Sequence, residues 1–251
     1  MKNKNFIFVL SLVLLFALYH LAEFFIVFKN SATMFLAFQF LFFGTAFFLG
    51  KWYDKGGLST WGLSIKGGFV LQIALGIFFG VLLYGISYLI GISFGIEKIT
   101  EIPDISTIIK TSLPFVFGLI FSSTSEDILT RGLLFKHLHS KIGSVFFVLF
   151  SAVFYVLNHI YKLGNGFETI AYLFLLGVIF AIPILVTKKL WVTSAMHWAG
   201  NCVFYISHEV IKTQEIASKI GFNTILCLFI LVVVFIFILL KDKIFASKTE
   251  I

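Results

Sequence analysis

Apolar residues run through this sequence in long blocks, with polar residues confined to short gaps between them. Eight blocks stand out, at 6–28, 32–50, 68–94, 112–138, 142–160, 167–186, 190–207 and 222–240. About 20 predominantly apolar residues suffice for an α-helix to cross a bilayer. The pattern therefore predicts an all-α, polytopic membrane bundle of about eight transmembrane helices. No linker, repeat or low-complexity tract separates the blocks, so the expectation is a single integral membrane domain over 1–251.

Composition strengthens this reading. The chain is 59% hydrophobic and only 12% charged, where soluble domains carry about 25% charged residues. A soluble fold of 251 residues has no interior large enough to hide that apolar surface. The net charge of +7 raises the question of nucleic acid, but the basic residues are scattered among short loops. That distribution suits membrane topology, and lipid rather than nucleic acid is the expected surrounding. The start, "MKNKNFIFVLSLVLLF", resembles a signal peptide. Its apolar run continues to Phe28 without a small-residue cleavage site, so a retained first span is expected. Cys202 and Cys227 lie in apolar stretches and imply packing rather than a disulfide framework.

The gaps orient the spans. With the first residues inside, thirteen of the 19 lysines and arginines fall on the cytoplasmic side and six outside. Arg131 is among the thirteen. The positive-inside rule then favours a multi-pass protein with both termini cytoplasmic. Glu97, Glu101, Asp104, Glu168, Glu209 and Glu215 fall outside.

Against this background "SEDILTR", residues 125–131, is out of place. An ionisable residue in a membrane segment is a functional-site hypothesis by default. Asp127 and Arg131 are spaced i,i+4, so they meet on one helix face. Glu126 lies about 100° around the helix, with Thr130 as its own i+4 neighbour. One carboxylate thus has an internal cation and the other has none, which suits the second to accept protons. The same three residues equally allow a structural polar knot between helices. Two further spans carry polar side chains. "SAVFYVLNHIY" places His159 four residues after Tyr155, and "LWVTSAMHWAGNCVF" puts His197 and Asn201 on one face.

These groups meet only if their depths agree. A hairpin pivoting near Lys141–Gly143 levels Glu126 with His159, each roughly 24 Å from the pivot at an α-helical rise. His197, counted from Lys189, lies roughly 12 Å above the inner boundary by the same rise. The levels agree if the tip "FKHLHSK" projects from the membrane by roughly 10 Å.

A Glu-acid pair with arginine five residues after the first acid, an aromatic-x-x-x-His on the next span, and His-x-x-x-Asn two spans later resemble the CPBP family. These are CAAX proteases and bacteriocin-processing or self-immunity membrane proteins, related to type II CAAX prenyl endopeptidases. The resemblance covers a core of about 110–207. The family's usual Glu-Glu is Glu126-Asp127 here, and Tyr155 stands where phenylalanine is usual. The resemblance implies helices around a polar intramembrane cavity, in a multi-pass bacterial cell-membrane endopeptidase acting on membrane-associated peptides or proteins. It implies that Glu126 and His159 hold and deprotonate a water, that His197 and Asn201 stabilise the oxyanion, and that Asp127 and Arg131 support them. A metal-free site is favoured; a zinc site of Glu126, His159 and His197 has acceptable ligand types.

Two other classes use the same features. One is a non-enzymatic immunity or regulatory partner of another membrane protein; the other is a proton-coupled transporter, for which the expected symmetry of two halves is missing. Ser122, Ser123 and Ser125 lack an evident base. "HEVIK" at 208 departs from a zinc-protease motif at Lys212, so His208 and Glu209 are expected in a loop. His20 and Glu23 are expected at the membrane interface, and His137 and His139 solvated on the cytosolic tip.

Overall fold

The computed structural model describes residues 3–216 and 221–246. Its helices are α1 (Lys4–Lys29), α2 (Ala32–Asp54), α3 (Phe69–Ser93), α4 (Ile105–Asp127), α5 (Leu133–Asn158), α6 (Phe167–Thr187), α7 (Trp191–Phe204) and α8 (Phe222–Ala246). A π-helical turn, Ile128–Gly132, joins α4 to α5, and a second, Tyr205–Val210, extends α7. Two short strands, β1 (Glu97–Glu101) and β2 (Lys212–Glu215), pair antiparallel at one end of the bundle. The protein is a multi-pass, all-helical membrane bundle apart from this small sheet.

Local chemistry explains the boundaries. The α1–α2 connection needs two residues: Asn30 takes the left-handed conformation (φ 46°) and Ser31 caps α2 by accepting from the Met34 amide. Both are favoured for those tasks. Helix α4 begins seven residues earlier than the apolar block at 112 because Asp104 caps it. The Asp104 carboxylate accepts from the Thr107 hydroxyl at 2.6 Å and the Thr107 amide at 3.1 Å, and these bonds hold its pKa below the usual range.

Among the described residues, six helical runs are long and apolar enough to cross a membrane. The fourth run, 105–158, is 54 residues long, and Gly143 breaks it with φ 78° and ψ 172°. That conformation is essentially restricted to glycine, and it turns one long helix into two antiparallel arms. Phe135 faces Phe147 at 5.3 Å, Ser151 Oγ donates to the Thr130 carbonyl, and Asn158 reaches Glu126. The pairs step outward from the break in register, as the expected pivot requires. Lys136 pairs with Asp54 at the end of α2 at 2.6 Å. The arm beyond Lys136 therefore projects past α2 by roughly 10 Å at an α-helical rise. With α7 and its π turn, the two arms bring the helical segments to eight.

Packing uses small residues where helices cross. A Cβ on Gly76 or Gly80 of α3 would collide with the backbone of α7 at Val192 and Met196. Close approach of this kind is a common basis of helix association in lipid. Outward-facing Phe48, Val145 and Phe146 remain exposed, as expected of surfaces solvated by acyl chains.

Candidate active site

Glu126 and Asp127 end α4, where the π turn begins. The extra residue in such turns often accompanies functional sites. Here it holds Arg131 against Asp127 with both side chains fully buried. Arg131 also donates to Thr130 Oγ1 at 2.9 Å, and its guanidinium lies 4.6 Å from the Tyr155 ring and 5.2 Å from Phe180. The ring faces help compensate a cation removed from water. Arg131 is therefore an interior residue and not part of a basic loop, so the cytoplasmic tally loses one member.

Glu126 is the meeting point of three helical segments. Asn158, the last residue of α5, donates from Nδ2 to Oε1 at 3.0 Å. His159, which ends that helix, places Nδ1 3.5 Å from Oε1 and 2.9 Å from the Tyr155 carbonyl. His197 on α7 places Nε2 3.7 Å from Oε2. Its Nδ1 faces Asp127 Oδ1 at 3.5 Å, and its ring stacks on Phe180 at 4.7 Å. Asn201, one turn on, donates to Ser123 Oγ at 3.4 Å, while Trp198 donates to the Val116 carbonyl at 2.9 Å. These bonds fix the register of α7 against α4.

Glu126, His159, His197 and Asn201 all line one polar cavity of about 530 Å³. The spacing-based candidates are brought together, and Asp127 with Arg131 lies behind them. A second, apolar hollow of about 320 Å³ between α1, α2 and α4 shares Glu23, Phe115, Leu119 and Ser122 with the cavity. Its walls include the exposed Val27 and Phe117.

Other expectations need correction. His20 is buried and bonded to Glu23 at 3.1 Å, and Glu23 lines the cavity instead of anchoring a lipid interface. His137 is not solvated on the tip: it is buried, stacked on Phe8 at 4.2 Å and hydrogen-bonded to Tyr53 at 3.1 Å. His139 is half-buried against Phe135 at 4.5 Å. His208 and Glu209 belong to a π turn rather than a loop. His208 Nε2 donates to buried Glu97 at 2.8 Å, and its Nδ1 meets Ser207 Oγ at 2.7 Å. Neither Ser207 nor His208 lines the Glu126 cavity, so this chain of bonds ties the small sheet to the helices.

Residue patterns had not pointed to Asn158 or Tyr19. Asn158 stands beside His159, and a second polar residue at a helix end was its one local signal. Tyr19 comes from α1, is buried, and faces Glu126 and Ser122 across the cavity. Among the described residues, no three His, Cys, Asp or Glu side chains are grouped as a metal-binding set.

Residues 108–203 match the family model of type II CAAX prenyl endopeptidase Rce1-like proteins. This segment holds nearly all of α4, together with α5, α6 and most of α7, and it contains Glu126, Asp127, Arg131, His159, His197 and Asn201. The match and the three motifs agree: over this segment the chain is similar to the type II CAAX prenyl endopeptidases. No curated protein and no solved structure matches the chain.

Proposed function

We propose that this protein is an intramembrane endopeptidase that hydrolyses a membrane-associated peptide or protein, with Glu126 as general base. One observation carries the reading. Glu126 reaches into a polar cavity inside a lipid-facing bundle, set between Asn158 and His159 on one oxygen and His197 on the other. Carboxylates so placed near their proton donor and acceptor contribute to catalysis through position first.

The reaction balances on these residues. Glu126, assisted by His159, takes a proton from water, and the resulting hydroxide adds to the scissile carbonyl carbon. The carbonyl oxygen becomes an oxyanion, which accepts hydrogen bonds from Asn201 Nδ2 and from His197 Nε2 in its protonated form. Glu126 returns its proton to the leaving nitrogen, the C–N bond breaks, and a carboxylic acid and an amine depart, the acid passing its proton to the amine. Donors aimed at the developing oxyanion are usually the largest single contribution to such chemistry. Asp127 and Arg131 act indirectly: Asp127 Oδ1 lies 3.5 Å from His197 Nδ1, while the other ring nitrogen faces Glu126. The apolar hollow beside the cavity suits the lipid-embedded part of an anchored substrate.

The test compares peptides released by membranes carrying the native protein with those from membranes carrying Glu126→Gln. Products present with the native protein and missing with the variant support the reading. Identical peptide sets contradict it.

A further inference from the structure

The bundle has two chemically different ends. At one end lie Lys51, Lys55, Lys66, Lys136, Lys141, Lys188 and Lys189. Contacts show that they form a single layer. Lys136 pairs with Asp54, Lys141 donates to His137 at 3.1 Å, and His137 bonds Tyr53 at the end of α2. Lys189 donates to the Gly67 carbonyl at 2.9 Å, and Lys188 lies 5.4 Å from the Phe135 ring. Trp191 donates to the Ser64 carbonyl in the same layer.

The opposite end is richer in acids. It holds Glu97, Glu101, Asp104, Glu168, Glu209 and Glu215, with Lys29, Lys98, Lys110, Lys162 and Lys212 among them. Its contacts are equally continuous: His208 with Glu97, Tyr88 with Thr213 at 3.0 Å, Thr224 with Glu168 at 3.2 Å, and Phe28 with Tyr161 at 4.9 Å.

The cavity belongs to the second end. Its charged wall residues outside the Glu126 cluster are Glu23, Lys162 and Glu209, and no lysine of the basic layer lines it. The depth agrees, because His159 terminates α5 and the chain leaves the helix immediately beyond it. A basic layer marks the cytoplasmic end of a membrane protein. We infer that the Glu126 cavity opens to the extracytoplasmic side, and that its substrate is a membrane-anchored polypeptide cleaved in the segment at its outer membrane boundary. The substrate half of this inference rests on the endopeptidase reading; the orientation half does not.

The experiment separates the two. Single cysteines replace Lys162 and Glu209 at the mouth, and Lys55 and Lys141 at the basic end, all four of which are exposed. The native protein, with its own Cys202 and Cys227, sets the background. A membrane-impermeant maleimide is applied to intact protoplasts and then to permeabilised ones. The expected result is labelling of Lys162→Cys and Glu209→Cys in intact protoplasts, with Lys55→Cys and Lys141→Cys reacting only after permeabilisation. The reverse pattern overturns the inference whatever the activity. With the expected labelling, Glu126-dependent peptides that end within outer juxtamembrane segments support the substrate class. Peptides cut from cytoplasmic segments overturn that class. If no Glu126-dependent peptide exists, the endopeptidase reading falls and the substrate class with it, while the orientation stands on the labelling.

Discussion

Asn158 Nδ2 donates to Glu126 Oε1 across 3.0 Å, joining the two arms of the Gly143 hairpin at the level of the cavity. The bond fixes the carboxylate that the proposed chemistry needs. A hydrogen bond to a charged group contributes about 1.5–3 kcal/mol. Asn158→Leu keeps volume and removes the donor. Loss of that much orientation predicts a fall in peptide release of about 10- to 100-fold, taking a tenfold change as 1.36 kcal/mol. Protein yield should change far less, and unchanged turnover would show that Asn158 does not position Glu126.

The Asp127–Arg131 pair predicts a different phenotype. Both partners are fully buried, and Asp127→Ala leaves the Arg131 cation without its carboxylate. Removing one member of a buried pair destabilises by about 3–5 kcal/mol. Asp127→Ala should therefore lower the amount of folded protein recovered in detergent, while Asp127→Glu restores the charge and is tolerated. Normal yield and full peptide release from Asp127→Ala would contradict this role.

Gly143 isolates a backbone effect. A Cβ at this position meets nothing within 4 Å, so substitution brings no clash. The φ of 78° and ψ of 172° nevertheless strain any other residue, by about 1–3 kcal/mol. Gly143→Ala should lower the melting temperature of the purified protein, and Ile142→Ala beside it should lower it less. Equal melting temperatures for native protein and Gly143→Ala would mean that the arms do not turn at this residue.

Metal content gives an independent check. The metal-free reaction predicts that purified, active protein carries substoichiometric zinc and keeps its activity with a chelator present. Stoichiometric zinc, loss on chelation and recovery on adding metal would reassign Glu126, His159 and His197 as ligands.

The parts of the site that could be read from the chain are those set by spacing along one helix. Asp127 with Arg131, and His197 with Asn201, are i,i+4 pairs, so local geometry alone aligns them. The meeting of Glu126 and His159 needed only a pivot, which Gly143 supplies. What escaped depends on contacts between distant segments. Tyr19 arrives from α1, over one hundred residues before Glu126, and no local pattern marks it. His137 looked solvated because its neighbours are polar, yet Phe8 and Tyr53 cover it. His208 looked like a loop residue, although Glu97 lies opposite it across the small sheet. That sheet was hidden because "EKITE" and "KTQE" are short, charged and lack an apolar face. The helix boundaries followed the apolar blocks closely, except where Asp104 starts α4 in polar sequence.

The central claim, that Glu126 activates water for peptide hydrolysis, is tested most directly by isotope incorporation. Native protein and Glu126→Gln are each incubated with their membrane substrates in water enriched in oxygen-18, and the released peptides are weighed. The account predicts one solvent oxygen in the new C-terminal carboxylate of each product made by the native protein, and no such product from Glu126→Gln. Labelled products appearing at the native rate with Glu126→Gln would contradict it.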